Sequence, residues 1–232
     1  MKTIGLIGGM SWASSAHYYR LINEAVAARL GGLHSAQILI YSFDFERLAA
    51  LQRADRWDEA AHLVADAATR LERAGADVLL IGSNTMHSVA EPVAAAVKIP
   101  LIHVADATAR AIAARGFKTV GLLGTRFTME KPFYVDKLRS HGLRVLVPDE
   151  AGRERAHAII FGELCRNVVV DASRAEFVGL IDALASRGAE AIILGCTEIM
   201  LLVGPGDCRL PAFDTTEIHA LAAVDFALGA PQ

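Results

Sequence analysis

Two short polar motifs each follow an apolar run directly, and both carry residue types that acid–base chemistry uses. The first is Ser83-Asn84-Thr85 after the run VLLIG, and the second is Cys196-Thr197, with a glutamate next, after the run AIILG. A cysteine at the start of a helix lies near unpaired backbone N–H groups, which lower a thiol pKa from about 8.5 toward neutrality. Cys196 is therefore a candidate thiolate base or nucleophile. The alternative for a lone cysteine is a small buried apolar side chain.

The two motifs belong to an internal repeat. AGADVLLIGSNTMH at residues 74–87 matches RGAEAIILGCTEIM at 187–200 with an offset of 113 residues, and TIGLIGGMS matches TVGLLGTRFT with an offset of 116. Two matches at nearly one offset predict two similar halves, in which Ser83 and Cys196 hold the same position. If the halves face each other about a pseudo-twofold axis, these two side chains oppose one another across one cleft.

The elements that must position these residues follow from the apolar pattern. Short runs rich in Ile, Val and Leu alternate with Ala-rich segments of helical period, which is typical of parallel α/β sheets. The chain is short for an eight-stranded barrel, which takes about 250 residues, so open sheets are expected. The predicted strands are 3–7, 36–42, 77–81, 101–103, 119–123, 144–147, 191–194 and 211–213; the predicted helices are 14–29, 57–74, 87–97, 106–115, 131–141 and 172–187, with a further helix after the last strand.

The predicted fold class is α/β, with two similar Rossmann-like domains that each have a parallel four-stranded sheet and are related by a pseudo-twofold axis. Residues 1–103 together with 211–232 are expected to form the N-terminal domain, and residues 104–210 the C-terminal domain. Ligands bind beyond the carboxyl ends of parallel strands and in clefts between domains. The active site is therefore expected in the cleft between the two domains.

The composition narrows the class of partner. With 23 basic against 26 acidic side chains and a net charge of −3, the chain has no broad basic face, so neither nucleic acid nor membrane is expected as a partner. No run approaches the roughly 20 apolar residues of a membrane span, and glycines interrupt the N-terminal apolar run short of a signal-peptide core. Cys165, Cys196 and Cys208 are odd in number and widely spaced, which argues against a disulfide framework or a structural zinc. We expect a cytoplasmic protein that binds a small polar ligand.

Short polar residues at predicted helix starts form a candidate anion site. Asn84, Thr85 and Thr197 combine short side chains with free backbone N–H groups, which suits a substrate carboxylate. Thr125 follows the strand equivalent to the one before the N-terminal GGMSW loop and adds to the same cradle. Helix capping is the alternative for these threonines. The GGMSW loop lacks G-x-G-x-x-G spacing, so no dinucleotide is expected, and no metal-ligand spacing occurs.

The segments GLIGGMSW, SNTMH, LGCTEI and FDTTEIHA together resemble the cofactor-independent aspartate/glutamate racemase family, in its aspartate racemase branch, over nearly the whole chain. The resemblance implies two α/β domains around a central cleft, a homodimer, no pyridoxal phosphate or other cofactor, and no metal. It also implies two opposed bases, here Cys196 and Ser83, that take and return the α-proton of aspartate or glutamate. By the same resemblance, Met10 lines the substrate pocket.

The second carboxylate of such a substrate needs a cationic or donor-rich partner. The segment FDFERLAALQR offers Arg47, which suits bidentate carboxylate binding, and Gln52. The resemblance places an arginine or glutamine from this region in the site. The alternative for Arg47 is a solvated helix face. Where some relatives have a lysine, this chain has Leu164, so the group that holds the distal carboxylate is left open.

Ser83 departs from the family pattern, in which most members carry a cysteine at this position. A hydroxyl with a pKa near that of water, about 15.7, is roughly seven pK units poorer than a thiol of about 8.5, which is on the order of 10 kcal/mol for forming the anion. We therefore expect slow racemisation, with faster α-proton exchange on the L enantiomer through Cys196. His87, four residues after Ser83, is expected to be structural.

Other functions remain open for this scaffold. The first is a single-cysteine decarboxylase of a substituted malonate, which protonates one face only. The second is a turnover-impaired acidic amino-acid binding protein, for which Ser83 is the motivating residue. Ser83 is also compatible with a substitution introduced to trap a ligand.

Overall fold

The computed structural model describes residues 1–204 and 206–229, and it divides the chain into two compact units. The first unit comprises Met1–Val104 together with residues from His219 onward, and the second comprises Ala105–Ile218. Each unit is built on a parallel sheet with helices on its faces, so the predicted α/β class and the two-unit organisation are confirmed.

The first unit has a three-stranded sheet in the order β2-β1-β3, formed by β1 (Ile4–Gly8), β2 (Ile38–Ser42) and β3 (Val78–Ile81). The predicted fourth strand is reduced to one bridge, in which Leu101 pairs with Leu79. The backbone permits only this bridge because Pro100 has no N–H group to donate and a helix begins at Val104. The expectation of four strands is therefore wrong for this unit.

Helices cover both faces of this sheet. The helices α1 (Trp12–Leu30) and α11 (Thr215–Leu228) pack on the strand side chains of one face, and α2 (Phe45–Arg53) and α3 (Trp57–Arg73) pack on the other. Because successive strand residues point to opposite faces, a strand covered on both sides reads as a continuous apolar run. A 3-10 helix over Thr85–Val89 and α4 (Ala90–Ala95) follow β3.

The second unit has a four-stranded parallel sheet, β5-β4-β6-β7, as expected. Its strands are β4 (Thr119–Gly124), β5 (Arg144–Leu146), β6 (Ala191–Gly195) and β7 (Ala212–Asp214). Its helices are α5 (Val104–Ala114), α6 (Arg126–Glu130), α7 (Pro132–Ser140), α8 (Glu150–Gly162), α9 (Asp171–Ser186) and α10 (Ile199–Leu202), with a 3-10 helix over Leu164–Arg166.

The last strand lies in a different unit from the one expected. β7 pairs with β6, so that Ile192 is opposite Ala212, and it therefore completes the second sheet. The chain joins the first unit again only at His219. The boundary expected at residue 211 is wrong because strand pairing, which is not local in sequence, keeps β7 beside β6.

The internal repeat is visible in the strand register. Ile4 pairs with Val78 in the first sheet, and Val120 pairs with Ala191 in the second, which are the residues that the two offsets equate. The end of β3 in the first sheet therefore corresponds to the end of β6 in the second sheet. Within residues 1–204 and 206–229, no helix has both the length and the apolar character needed to cross a membrane.

Candidate active site

Ser83 lies just beyond β3, on the turn that leads into the 3-10 helix. The register that pairs Ile7 with Ile81 closes the strand, and the Ser83 N–H then donates to the Ile81 carbonyl over 2.8 Å. The Ser83 side chain is half-buried, and its Oγ accepts a hydrogen bond from the Met86 N–H at 3.4 Å. In the free protein the hydroxyl thus caps the following turn.

His87 is held by two backbone groups, which define its tautomer. Its Nδ1 donates to the Ser83 carbonyl over 2.8 Å, and its Nε2 accepts from the Val104 N–H over 3.2 Å. A carbonyl only accepts and an amide N–H only donates, so the proton is assigned to Nδ1 and the ring is neutral. His87 therefore fixes the turn that carries Ser83 rather than acting as a base toward its hydroxyl.

A second buried histidine extends this group. His219 Nε2 donates to the Ile102 carbonyl over 2.8 Å, and its Nδ1 accepts from the Tyr18 hydroxyl at 2.9 Å. Burial is the main cause that lowers the pKa of His219 to about 3. The rings of His87 and His103 meet edge-on, 4.6 Å between centroids. His87 and His219 are therefore neutral side chains that pack behind the turn that carries Ser83.

Most of the other residues predicted for this half of the site are buried beside Ser83. Met10 belongs to the same buried cluster as Met86, and Gln52 Nε2 donates to the Met86 sulfur over 3.0 Å. The Gln52 Oε1 is buried and has no hydrogen-bond partner among the described residues. Asn84 and Thr85 are also buried. Burying an amide oxygen without a hydrogen-bond partner costs free energy. Such an oxygen is typically satisfied by a bound ligand or a water molecule.

Arg47 does not share that environment. It lies on the exposed side of α2, whereas Gln52 on the same helix is buried. The solvated alternative therefore describes Arg47 in the free protein. Leu164, at the position where some relatives have lysine, is buried in the second unit.

A strained loop orients Met10. Gly9 has φ +79°, and a Cβ there would lie 2.2 Å from the Phe43 nitrogen, so only glycine fits. Ser11 is also in positive φ, and its Oγ accepts from the Ser14 N–H at 3.4 Å as the N-cap of α1. The Gly9 N–H donates to Ser15 Oγ over 2.8 Å. Close backbone packing and the cap thus hold the GGMSW loop.

Cys196 lies just beyond β6, at the place equivalent to Ser83, and its thiol has a carboxylate partner. Sγ donates to Glu198 Oε2 over 3.0 Å, and the Thr197 hydroxyl donates to the same oxygen over 2.6 Å. All three residues are buried, and the second oxygen of Glu198, Oε1, has no hydrogen-bond partner among the described residues. The thiol, the hydroxyl and the carboxylate form one compact cluster.

The environment of Cys196 raises its thiol pKa well above the ordinary value. Burial is the main cause, and the negative charge of Glu198 is the next. The expectation of a lowered pKa is wrong for the free protein because the thiol is buried and because Glu198, the N-cap residue of the four-residue α10, places its carboxylate 3.0 Å from the sulfur. Glu198 was not singled out from the sequence as the partner of the Cys196 thiol. Its position two residues after the cysteine was the available signal.

Thr125 lies just beyond β4, the strand that pairs with β6. Gly124 and Gly195 are paired across β4 and β6, so Thr125 and Cys196 each follow the same rung of the sheet. Thr125 is buried, and its Oγ1 accepts from the Thr128 N–H at 3.3 Å as the N-cap of α6. The sheet therefore brings Thr125 to the second half of the site, in a capping role.

The other two cysteines also have raised thiol pKa values. Burial, followed by the charge of Glu198, raises the pKa of Cys165 to about 12, and burial also raises the pKa of Cys208. All three thiols are free. Over the described part of the chain, no group of three His, Cys, Asp or Glu residues is placed to hold a metal ion.

Comparisons with known proteins agree with this geometry. The family model for the Asp/Glu/hydantoin racemases matches residues 7–223. A broad-specificity amino-acid racemase of Bacillus subtilis is 23% identical over 224 residues, which cover 95% of this chain and 96% of that protein.

Solved structures show the same relationship. A protein from Yersinia pestis assigned to the Asp/Glu racemases is 50% identical with a TM-score of 0.92, covering 98% of this chain and 100% of that chain. An aspartate racemase homologue from Pyrococcus horikoshii is 34% identical with a TM-score of 0.85, at the same coverage. Unliganded arylmalonate decarboxylase, 16% identical with a TM-score of 0.53 over 100% of this chain and 95% of that chain, shares the fold alone. Aspartate and glutamate racemases are isomerases, and the chain belongs to the Asp/Glu/hydantoin racemase family.

Proposed function

We propose that the chain is a cofactor-independent racemase of aspartate, glutamate or both, with Cys196 acting on one face of the α-carbon and Ser83 on the other. The observation that carries this proposal is the equivalent placement of the two residues. Ser83 lies two positions beyond Ile81, which pairs with Ile7, and Cys196 lies two positions beyond Leu194, which pairs with Leu123. Family membership supports the reaction class. In this proposal Cys196 and Ser83 act on the same substrate molecule.

The proposed proton path begins at Glu198. Its carboxylate takes the thiol proton of Cys196, and the resulting thiolate takes the α-proton of the L enantiomer. The electron pair of the C–H bond moves onto the substrate carboxylate. Ser83, or a water that it holds, protonates the opposite face and recovers a proton from solvent, while Glu198 releases to solvent the proton that it took. The 3.0 Å contact between Sγ and Glu198 Oε2 supports the first step.

The Ser83 side is the weaker half of this mechanism. Forming the anion of a hydroxyl costs on the order of 10 kcal/mol more than forming the anion of a thiol. His87 offers no relief, because its tautomer is held by two backbone groups. Exchange of the α-proton on the L enantiomer should therefore be faster than inversion. The value of kcat/KM for net racemisation must still be equal in the two directions, because the enantiomers have equal free energy.

Recognition of the substrate is assigned to buried polar groups. We propose that Asn84, Thr85 and Thr197 bind the α-carboxylate, and that Gln52 donates to the distal carboxylate once its amide leaves the Met86 sulfur. Met10 and Thr125 line the rest of the proposed substrate-binding site. Arg47 is retained as a second partner for the distal carboxylate if α2 turns it toward the substrate; in the free protein it is exposed.

We also propose that the enzyme is a cytoplasmic homodimer. Three free cysteines suit a reducing compartment, and the resemblance to the aspartate racemase branch implies the dimer. No cofactor or metal is required by the proposed proton path.

The test compares exchange with inversion. L-Aspartate and L-glutamate are incubated with the protein in D₂O, α-proton loss is followed by proton NMR, and enantiomers are separated by chiral chromatography. We expect exchange to exceed inversion, both to be abolished in Cys196→Ala, and both to persist in Cys208→Ala, a half-buried cysteine control. Absence of exchange would contradict the racemase proposal, and release of CO₂ from a substituted malonate would favour the decarboxylase instead.

A further inference from the structure

Gln52 is a polar residue on the buried, otherwise apolar face of α2. The buried residues of this helix are Leu48, Ala49 and Gln52, which lie within one turn of each other. Leu48 belongs to the buried cluster that contains Met10 and Met86. Gln52 itself is only 4% exposed. Glutamine side chains are mostly exposed in folded proteins, so a buried one in apolar surroundings points to a binding role.

One hydrogen bond fixes the orientation of the Gln52 amide. Its Nε2 donates to the Met86 sulfur over 3.0 Å, and the Met86 N–H donates to Ser83 Oγ at 3.4 Å. A thioether sulfur has no proton to donate, so the nitrogen of the amide and not its oxygen is assigned to this contact. A single residue, Met86, therefore connects the Gln52 amide to Ser83.

The oxygen of the same amide has no partner. Gln52 Oε1 is buried and accepts no hydrogen bond from any residue of 1–204 or 206–229. An unsatisfied buried acceptor costs free energy, and a donor on a bound molecule recovers it. The group that fits this position is therefore a hydrogen-bond donor.

Distal carboxylates and distal amides differ in what they offer to this oxygen. A carboxylate has acceptors only, so it binds Gln52 only after the Gln52 amide leaves the sulfur and turns its nitrogen toward the substrate. The side-chain amide of asparagine or glutamine has an NH₂ group, which can donate to Oε1 while Nε2 keeps its contact with Met86. An amide substrate thus requires no rearrangement of Gln52.

The charges of the first unit also favour an uncharged distal group. Every lysine and arginine between residues 1 and 104 is exposed, Arg47 included. His87 is neutral, because one ring nitrogen donates to a carbonyl and the other accepts from an amide N–H. Among the residues that the structure describes, Glu198 is the only buried Asp or Glu, and it adds negative charge to the proposed site. Burying a carboxylate without a cation is costly, whereas an amide needs hydrogen bonds alone.

We propose that the enzyme also racemises asparagine and glutamine, and that it prefers these amides to the corresponding acids. Gln52 sets the preference, because the NH₂ group of the substrate side chain donates to its Oε1. The α-proton is taken and returned as on the acids, and the C–N bond of the side-chain amide is not broken. The inference rests on the reaction proposed above and widens its substrate class.

The test compares each amide with its acid, because the two differ only by an NH₂ group in place of an oxygen. Initial rates of α-proton exchange are measured on L-asparagine, L-aspartate, L-glutamine and L-glutamate at about pH 8, where the distal carboxylates are charged. We expect kcat/KM for exchange to be at least about tenfold higher on the amides. A wild-type protein without this preference would overturn the inference, whereas no exchange on any of the four substrates would overturn the proposed reaction.

Two variants test whether Gln52 sets the preference. Gln52→Leu removes the acceptor and should bring the ratio of kcat/KM on asparagine to kcat/KM on aspartate close to one. Gln52→Glu keeps an acceptor but repels a carboxylate, so it should raise that ratio. Arg53→Gln, at the next and exposed position, is the matched control and should leave the ratio unchanged. A preference for asparagine that survives in Gln52→Leu would overturn the assignment to Gln52.

Binding measurements keep the test independent of turnover. Cys196→Ala lacks the proposed base, and isothermal titration calorimetry gives its dissociation constants for L-asparagine and L-aspartate. We expect asparagine to bind at least about tenfold more tightly, and equal affinities would overturn the inference even where exchange on aspartate supports the proposed reaction. Circular dichroism identifies any variant that fails to fold, and the wild-type comparison of amide with acid requires no variant.

Discussion

The Cys196 thiol donates a hydrogen bond to Glu198 Oε2 at 3.0 Å, so the proposed base is protonated in the free protein and its proton already points at an acceptor. Ser83, at the equivalent place in the first unit, has a backbone N–H as its neighbour instead. Ser83 and Cys196 therefore hold equivalent positions in the repeat, but their side chains have different hydrogen-bond partners. This difference is the basis of the predictions that follow.

Replacing Glu198 by glutamine should lower the pKa of the Cys196 thiol, because the carboxylate charge is one of the causes that raise it. We expect the thiolate absorbance near 240 nm to appear at lower pH, while the exchange rate falls at least tenfold because the proton acceptor is lost. The measurement is made in a Cys165→Ala, Cys208→Ala background so that one thiol titrates. Glu198→Asp is the control that keeps the charge, and an unchanged thiol titration in Glu198→Gln would contradict the proposed role.

Replacing Ser83 by cysteine should raise inversion relative to exchange, since a thiol forms its anion far more readily than a hydroxyl. We expect the ratio of inversion to exchange on L-aspartate in D₂O to move toward one. Ser83→Ala, of similar size, serves as the control and should leave only exchange. If Ser83→Cys gains nothing, Ser83 does not face the α-carbon.

Gln52 should bind substrate more strongly than Arg47. Gln52→Leu removes a buried donor and is expected to raise KM for aspartate about tenfold, in line with loss of a hydrogen bond to a charged group. Arg47→Leu alters an exposed side chain and should change KM less. Initial rates over a range of substrate concentrations separate KM from kcat. The reverse order of effects would assign the distal carboxylate to Arg47.

Acid should destabilise the fold through His219. Its pKa is about 3 in the folded protein and about 6.5 when unfolded. Below pH 6.5 the unfolded chain binds a proton that the folded chain does not, so the free energy of unfolding falls by about 1.4 kcal/mol per pH unit from this group until pH 3. Urea unfolding at several pH values should show that the free energy of unfolding falls less steeply with acid in His219→Gln than in the wild type. His34→Gln, at an exposed position, is the control and should leave that slope unchanged.

The strands that carry the site were predictable because their apolar runs are local signals. β3 and β6 lie within a residue of the expected bounds, and the offset between them correctly equated Ser83 with Cys196. The sheet to which β7 belongs was not predictable in this way, because a three-residue run contains no information about its partner.

Other differences have local causes. α8 was missed although Asp149 accepts from the Gly152 N–H at 2.9 Å and caps it, since its glycine and charged residues weaken the helical pattern. The raised thiol pKa of Cys196 depends on burial and on the side-chain rotamer of Glu198. The spacing of the motif predicts neither of them.

The point at which the chain rejoins the first unit has a consequence for biosynthesis. The second unit is one uninterrupted segment, Ala105–Ile218, whereas the first is closed only when residues from His219 onward return to it. His219 itself supplies the buried hydrogen bonds to Ile102 and Tyr18. During translation the first unit must therefore remain incomplete until residues from His219 onward have been synthesised, and the second unit, which is finished before them, can mature first.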